Sequence, residues 1–163
     1  MKRDKLKAIL IKYNECYFSD FQIDKIFESE YNRQAIDFLF ETKTQISIES
    51  KGQSKASWTN ANVNQYEVTL KNQKHEYSFD YYDSIYNTEK NKSSKYDFYS
   101  AIACLDSYVS DSFDEFCLDF GYEFKNESEY IKAKSTHLAC IEQSKNLKKL
   151  FTSEQLERLS EIR

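Results

Sequence analysis

Glycine and proline are almost missing from this chain of 163 residues, which contains two glycines and no proline. A glycine-rich loop that cradles a phosphate group therefore cannot be built along it, and the common nucleotide-binding motifs are excluded. No apolar run approaches the about 18 to 20 residues that span a bilayer, and the first residues lack the apolar stretch of a secretory signal. We expect a cytoplasmic protein that does not associate with membranes.

Histidine and cysteine, which supply most metal ligands and nucleophiles, are also scarce. The chain has two histidines, His75 and His137, and four cysteines: Cys16, Cys104, Cys117 and Cys140. Without a secretory signal the thiols are expected to be reduced. His137 and Cys140 lie one helical turn apart and could join Cys104 and Cys117 around zinc, but two separated pairs of this spacing match no zinc module. We expect no metal and no cofactor.

Charge is unevenly distributed along the sequence. The net charge is -4, which argues against a general nucleic-acid binder and against sequence-specific DNA binding. Residues 106 to 129 contain eight acidic residues and one lysine, a net charge of -7. Negative charge beside tyrosines can steer and anchor a basic partner, although acidic residues also cap helices and keep a small protein in solution.

The first 30 residues predict helices. Leu6, Leu10 and Tyr13 follow spacings of four and three residues, which is typical of one apolar helix face. Further along, Ser19 stands three residues before Gln22, the arrangement of a capping box. We expect helices over about residues 2–30.

The middle of the chain, about residues 35–83, predicts strands. Ile36, Phe38 and Phe40 alternate with other residues, and so do Ile46 and Ile48, as a half-buried strand requires. The polar stretch over residues 49–65, which includes Trp58, predicts an exposed loop.

The clearest hairpin follows that loop. Tyr66, Val68 and Leu70 share one face of the first strand, and Tyr77, Phe79 and Tyr81 share one face of the second; the turn is Asn72-Gln73-Lys74.

After a polar linker at residues 87–95, the pattern over residues 96–163 is helical. The predicted helices cover residues 98–105, the stretch SFDEFCLDFGY at 112–122, residues 127–150, and a last helix capped by Thr152 or Ser153. In the second of these, Ser112 provides an N-terminal cap, Gly121 provides a C-terminal cap, and Phe113, Phe116, Cys117 and Phe120 line one side.

Strands in the middle and helices at both ends predict a single α+β domain over residues 1–163. We expect an antiparallel sheet of three or four strands that packs against the N-terminal and C-terminal helices. The acidic outer face of the helix in SFDEFCLDFGY is the predicted partner-binding surface, and its candidate residues are Asp111, Asp114, Glu115, Asp119, Tyr122 and Glu123. No residue is assigned a catalytic role.

The C-terminal part also resembles a group of small phage and prophage accessory proteins. Their signature is a helix followed by a segment like S-F-E-D-F-C-x-E-F-G-Y and a long helix, which here is SFDEFCLDFGYEFKNESEYIKA, with LKKLFTSEQLERL beyond it. A tryptophan before a hairpin, here Trp58 and YEVTLKNQKHEYSFDYY, extends the similarity more weakly. Residues 123–128 depart from the usual Asp-Thr-Asp-Ser-Arg that follows the Gly-Tyr.

The resemblance implies a mobile-element protein without catalytic machinery, and many such proteins are inhibitors of host defence. We therefore expect a non-enzymatic anti-defence protein, in particular an anti-CRISPR protein that binds an RNA-guided nuclease or its guide-RNA complex in the cytoplasm of the host bacterium. Two alternatives stay open: a phage replication or packaging accessory factor that binds single-stranded nucleic acid, and a small metal-dependent or thiol hydrolase.

Overall fold

The computed structural model describes residues 1–14, 18–55, 62–84, 97–103, 105 and 108–162. Within them the chain forms seven helices and one three-stranded antiparallel sheet, which confirms the predicted α+β class. The residues fall into two compact units, Met1–Cys104 with Glu161–Arg163, and Leu105–Ser160. The single domain predicted from the sequence stays a prediction.

The first unit begins with helix α1 (Lys2–Ile9), which is shorter than the sequence predicted. Leu6 and Ile9 are buried, and Leu10 leaves the helix to form a parallel bridge with Ile46, where the N–H of Ile11 donates to the carbonyl oxygen of Ile46. The chain therefore passes from helix to sheet edge within two residues.

Basic side chains of α1 hold it to its neighbours through ion pairs. Lys2 pairs with Asp24, Arg3 with Asp20, and Lys5 with Asp37, at nitrogen–oxygen distances of 2.9, 2.7 and 2.6 Å. The first two pairs are solvent-exposed and the third is partly buried, so each of the first two contributes at most about 1 kcal/mol, and the buried apolar residues contribute more of the stability.

Two further helices follow, α2 (Asp20–Glu28) and α3 (Glu30–Glu41). The capping box of Ser19 and Gln22 is confirmed, with both reciprocal hydrogen bonds present. Ser29 ends α2 and caps α3, and Arg33 donates to the carbonyl oxygens of Phe27 and Glu28, which satisfies the C-terminal end of α2.

The strand predicted over Ile36, Phe38 and Phe40 is wrong, because these residues belong to α3. In the helix, Ile36, Phe38 and Leu39 are buried and Phe40 is exposed, so the apolar residues form one helical face. The helix makes its backbone hydrogen bonds within the segment and starts at the Ser29 cap. Ser29 was the sequence signal for a helix, but the alternation of apolar residues favoured a strand.

The sheet contains β1 (Gln45–Lys55), β2 (Asn62–Lys71) and β3 (Glu76–Ser84) in that spatial order. The predicted hairpin is confirmed, since Tyr66 pairs with Tyr81, Val68 with Phe79 and Leu70 with Tyr77. Asn72 closes its turn by accepting hydrogen bonds from the backbone of the next residues.

The loop predicted over residues 49–65 is wrong in part. β1 continues to Lys55 and β2 starts at Asn62, so most of this polar stretch is paired backbone. A bulge between Ser50 and Gly52 interrupts the ladder, and the φ of +90° at Gly52 suits glycine. Trp58 and the predicted linker at 87–95 lie outside the described residues, as do Cys16 and Cys104.

Helix α4 (Phe98–Ala103) completes the first unit and packs on α3. Phe98, Ala101 and Ile102 are buried, and the N–H of Tyr99 donates to the side-chain oxygen of Asn32 at 3.0 Å.

The second unit contains α5 (Phe113–Phe120), α6 (Glu127–Leu150) and α7 (Ser153–Glu161), whose last residue counts with the first unit. All three follow the predicted positions. Asn126 caps α6, and Thr152 caps α7 through a reciprocal pair of hydrogen bonds with Gln155. None of the helices in the described ranges is both long enough and apolar enough to cross a membrane.

The helical assignment of α3 predicts unequal effects at two neighbouring phenylalanines. Replacement of Phe38, which is 1% exposed, by alanine should lower the free energy of unfolding by about 3 to 5 kcal/mol because it leaves a cavity. Replacement of Phe40, which is 43% exposed, should cost less than about 1 kcal/mol. Urea denaturation followed by circular dichroism measures both, and equal losses would contradict the helix.

Candidate functional site

Helix α5 is short, and polar contacts define both of its ends. The N–H of Glu115 donates to the Ser112 hydroxyl, and the Ser110 hydroxyl donates to the Glu115 carboxylate at 2.6 Å. The Glu115 side chain thus turns to Ser110, so the cap differs from a full capping box.

At the other end of α5, Gly121 has the left-handed conformation predicted for it, with φ of +66°. The N–H of Tyr122 donates to the carbonyl oxygen of Cys117 at 2.8 Å, and that of Gly121 donates to Leu118, which is a Schellman motif. This turn directs Tyr122 back onto the helix, where its ring contacts Phe116 with a centroid distance of 5.6 Å.

A cluster of rings joins α5, the segment after it and the start of α6. Phe113 contacts Phe116, Phe124 and Tyr130, with centroid distances of 6.4, 6.1 and 5.4 Å. Tyr122 bridges Phe116 and Phe124. These five rings, together with Phe120 against Phe116, form what we call the ring cluster.

His137 of α6 lies against the ring cluster and is 4% exposed. Its ring contacts Phe113 and Phe116, with centroid distances of 5.6 and 4.7 Å. Its Nε2 lies 2.7 Å from the carbonyl oxygen of Ser110. Because a carbonyl oxygen can only accept, Nε2 carries the hydrogen and donates it. One buried polar group therefore joins α6 to the residues that precede α5.

All six predicted partner-binding residues lie in this region and are exposed. Asp111 precedes α5, Asp114 and Glu115 lie in its first turn, and Asp119 lies one turn after Glu115 on the same side. Tyr122 and Glu123 follow the Gly121 turn. The structure places them around one short helix.

Apart from Tyr122, the exposed apolar side chains of the same surface were not predicted from the sequence. Leu118 is 81% exposed, and Phe120, predicted to face the packed side of α5, is 56% exposed. Tyr122 and Phe124 are about two fifths exposed despite their ring contacts. Of the predicted apolar side, only Phe116 is fully buried, and Phe113 and Cys117 are half-buried. The close spacing of aromatic residues was the available signal.

The two units differ in their ion pairs. Among the described residues of the first unit, the carboxylates that pair with an amino or guanidinium group include Asp4, Asp20, Asp24, Glu28, Asp37, Glu49, Glu67 and Glu76. Within the described part of the stretch 108–129, no carboxylate has an ion-pair partner among the described residues. We call five of these carboxylates and the exposed apolar side chains beside them the α5 surface: Asp111, Asp114, Glu115, Leu118, Asp119, Phe120, Tyr122, Glu123 and Phe124.

The geometry around Cys117 does not favour a nucleophile. Burial, and next the negative charge of Asp114, raise the pKa of the Cys117 thiol above its ordinary value. The reactive thiolate is therefore less populated at neutral pH than in a free cysteine, whereas nucleophilic cysteines have lowered pKa values. His137 is one of the zinc candidates, but its Nε2 is hydrogen-bonded to the carbonyl oxygen of Ser110.

Among the described residues, no three histidine, cysteine or acidic side chains are arranged to hold a metal ion. Cys104, one of the four zinc candidates, lies outside them. In the first unit, α1, the end of α3 and the β2–β3 turn line a mostly apolar groove of about 650 Å³. Its lining includes one carboxylate, Glu41, and two lysines, Lys43 and Lys71.

Comparison of the chain with protein-family models, curated proteins and solved structures finds no match.

The contact between His137 and Ser110 predicts a stability effect. His137→Leu removes the donor and leaves the Ser110 carbonyl oxygen without it, so the free energy of unfolding should fall by about 1 to 3 kcal/mol. Ser135→Ala on the exposed side of α6 is the control and should change it by less than about 0.5 kcal/mol. Thermal denaturation of both variants checks this. A His137→Leu protein as stable as the parent would show that the contact does not contribute to stability.

Proposed function

We propose that this protein is a phage or mobile-element anti-defence protein that inhibits a host RNA-guided nuclease by stoichiometric binding in the bacterial cytoplasm. It acts without catalysis, and the α5 surface makes the contact. The observation that carries the proposal is a set of exposed carboxylates, without an ion-pair partner among the described residues, beside exposed aromatic and aliphatic side chains.

Helix stability explains only part of this negative charge. Asp114 and Glu115 lie in the first turn of α5, where they interact favourably with the helix dipole. Asp119 lies in the last turn, where a negative charge is unfavourable, and no basic residue accompanies it there. Its position is understandable if a basic group of a partner approaches that end of the helix.

The exposed apolar groups point to a protein partner. Leu118 and Phe120 lie on the same short helix as the carboxylates, and an apolar patch with a polar rim is the usual composition of a protein-binding surface. A nucleic acid, in contrast, would bring phosphate groups to a stretch with a net charge of -7.

The nature of the partner follows from the resemblance and from charge. The SFDEFCLDFGY segment resembles that of small phage and prophage accessory proteins, and proteins of that description include many inhibitors of host defence. RNA-guided nucleases hold their guide–target duplex in a positively charged channel, so they offer basic surfaces that an acidic protein can occupy. Occupation of such a surface needs one inhibitor for each nuclease and no chemistry.

The test is a titration of guide-loaded nucleases of several types with the purified protein. Cleavage of target DNA should fall in proportion to added protein and stop near one equivalent, and the two proteins should co-elute in gel filtration. Inhibition at far below one equivalent would point to an enzyme. No inhibition of any nuclease, or binding to a labelled single-stranded oligonucleotide instead, would contradict the proposal.

Neutral variants of the α5 surface should weaken inhibition. The triple variant Asp114→Asn, Glu115→Gln and Asp119→Asn keeps side-chain shape and should raise the Kd for the nuclease about tenfold, because steering and charge pairing are lost. Calorimetric titration measures the Kd. The control is Glu142→Gln, Glu154→Gln and Glu157→Gln, which removes equal charge from exposed positions of α6 and α7. Equal effects in the two variants would mean that only net charge matters.

A further inference from the structure

Three exposed rings of the α5 surface have no cation over them among the described residues: Phe120, Tyr122 and Phe124. Three exposed rings elsewhere, those of Phe21, Phe40 and Tyr130, are covered by the chain's own lysines, whereas Tyr31 and Tyr108 have no cation over them among the described residues. Lys25 lies 5.7 Å from the ring centroid of Phe21, and Lys134 lies at the same distance from that of Tyr130. Lysine can thus cover an exposed ring in this chain, and the three rings of the α5 surface have no such cation among the described residues.

Carboxylates lie next to the same rings in the chain. Asp119 precedes Phe120, and Glu123 stands between Tyr122 and Phe124; both are exposed, and neither pairs with a cation among the described residues. A cation brought by a partner would gain both a ring face and a carboxylate.

We propose that the α5 surface recognises an arginine-bearing segment of its partner protein, an inference that rests on the proposed function for the identity of that partner. Guanidinium groups stack on Phe120, Tyr122 and Phe124 and pair with Asp119 and Glu123. Arginine fits this combination better than lysine because its planar group stacks on rings, binds a carboxylate with two hydrogen bonds and is more weakly hydrated.

Charge disfavours the other occupants of this surface. A second copy of the chain in a two-fold interface would bring together two stretches that each carry a net charge of -7. A guide RNA would place phosphate groups against the same carboxylates. A purely apolar partner would leave those carboxylates unpaired where it covers them.

The experiment is an NMR titration of the full chain, labelled with nitrogen-15, with a short peptide of alternating arginine and serine. Amide resonances of residues 118–124 should shift and saturate. The matching peptide of lysine and serine should bind about fivefold more weakly. Added salt should weaken both complexes, since exposed charges are screened.

Two variants locate the contact. Phe124→Leu keeps an apolar side chain but removes the ring, and Glu123→Gln removes the charge, so each should weaken arginine-peptide binding about threefold to tenfold. Phe21→Leu is the matched control, because the Phe21 ring is exposed but already covered by Lys25, and its affinity should equal that of the parent.

Equal affinity for the two peptides, shifts outside residues 118–124, or full affinity in both variants would overturn the inference. So would tighter binding of a poly-uridine oligonucleotide, or self-association that these variants abolish. Arginine-specific binding without inhibition of any nuclease would refute the proposed function and leave this inference standing. If the Phe124→Leu and Glu123→Gln variants still inhibit the nuclease fully, this inference is refuted and the proposed function stands.

Discussion

The buried contact between the imidazole of His137 and the carbonyl oxygen of Ser110 organises the second unit. A helix of eight residues such as α5 is not stable alone in water, so its position depends on what it packs against. The imidazole contacts Phe113 and Phe116 of α5 and, through Ser110, holds the residues that lead into it. Since an imidazole among aromatic rings needs a hydrogen-bond partner, its position allows few alternatives. The exposed side of α5 is therefore set by a contact on its buried side.

Charge is used differently in the two units. In the first unit, two lysines and one arginine of α1 reach carboxylates of α2 and α3, and Lys12, which follows α1, pairs with Glu49 of β1, so these charges largely neutralise each other. In the described part of 108–129, the carboxylates repel one another without any such compensation among the described residues. Self-repulsion destabilises a compact state, so this arrangement has a cost that the fold does not recover. In the function that we propose, a basic partner offsets this repulsion on binding, so recognition explains the acidic stretch better than solubility alone.

Local signals predicted much of the fold. Caps and tight turns, such as Ser19 with Gln22, Gly121, and the Asn72 turn, depend on residues within about five positions of each other, and the sequence shows them directly. The errors arose where long-range contacts decide. Ile36, Phe38 and Phe40 alternate as in a strand, but burial of Leu39 beside Ile36 shows a helical face. The polar ends of β1 and β2 pair through their backbones, and the sequence there has no alternation of apolar residues that would predict a strand.

The candidate site was also predicted only in part. Its carboxylates stand out as a run of acidic residues, but the ring cluster depends on the return of the chain at Gly121 and on α6, which sequence spacing does not show. Those contacts also bear on recognition. The caps of α5 and the packing of Tyr122 and Phe124 against other rings restrict the side chains that a partner would meet, so less conformational entropy is lost on binding. A rigid, partly apolar surface with unpaired charge favours one oriented partner over many weak contacts.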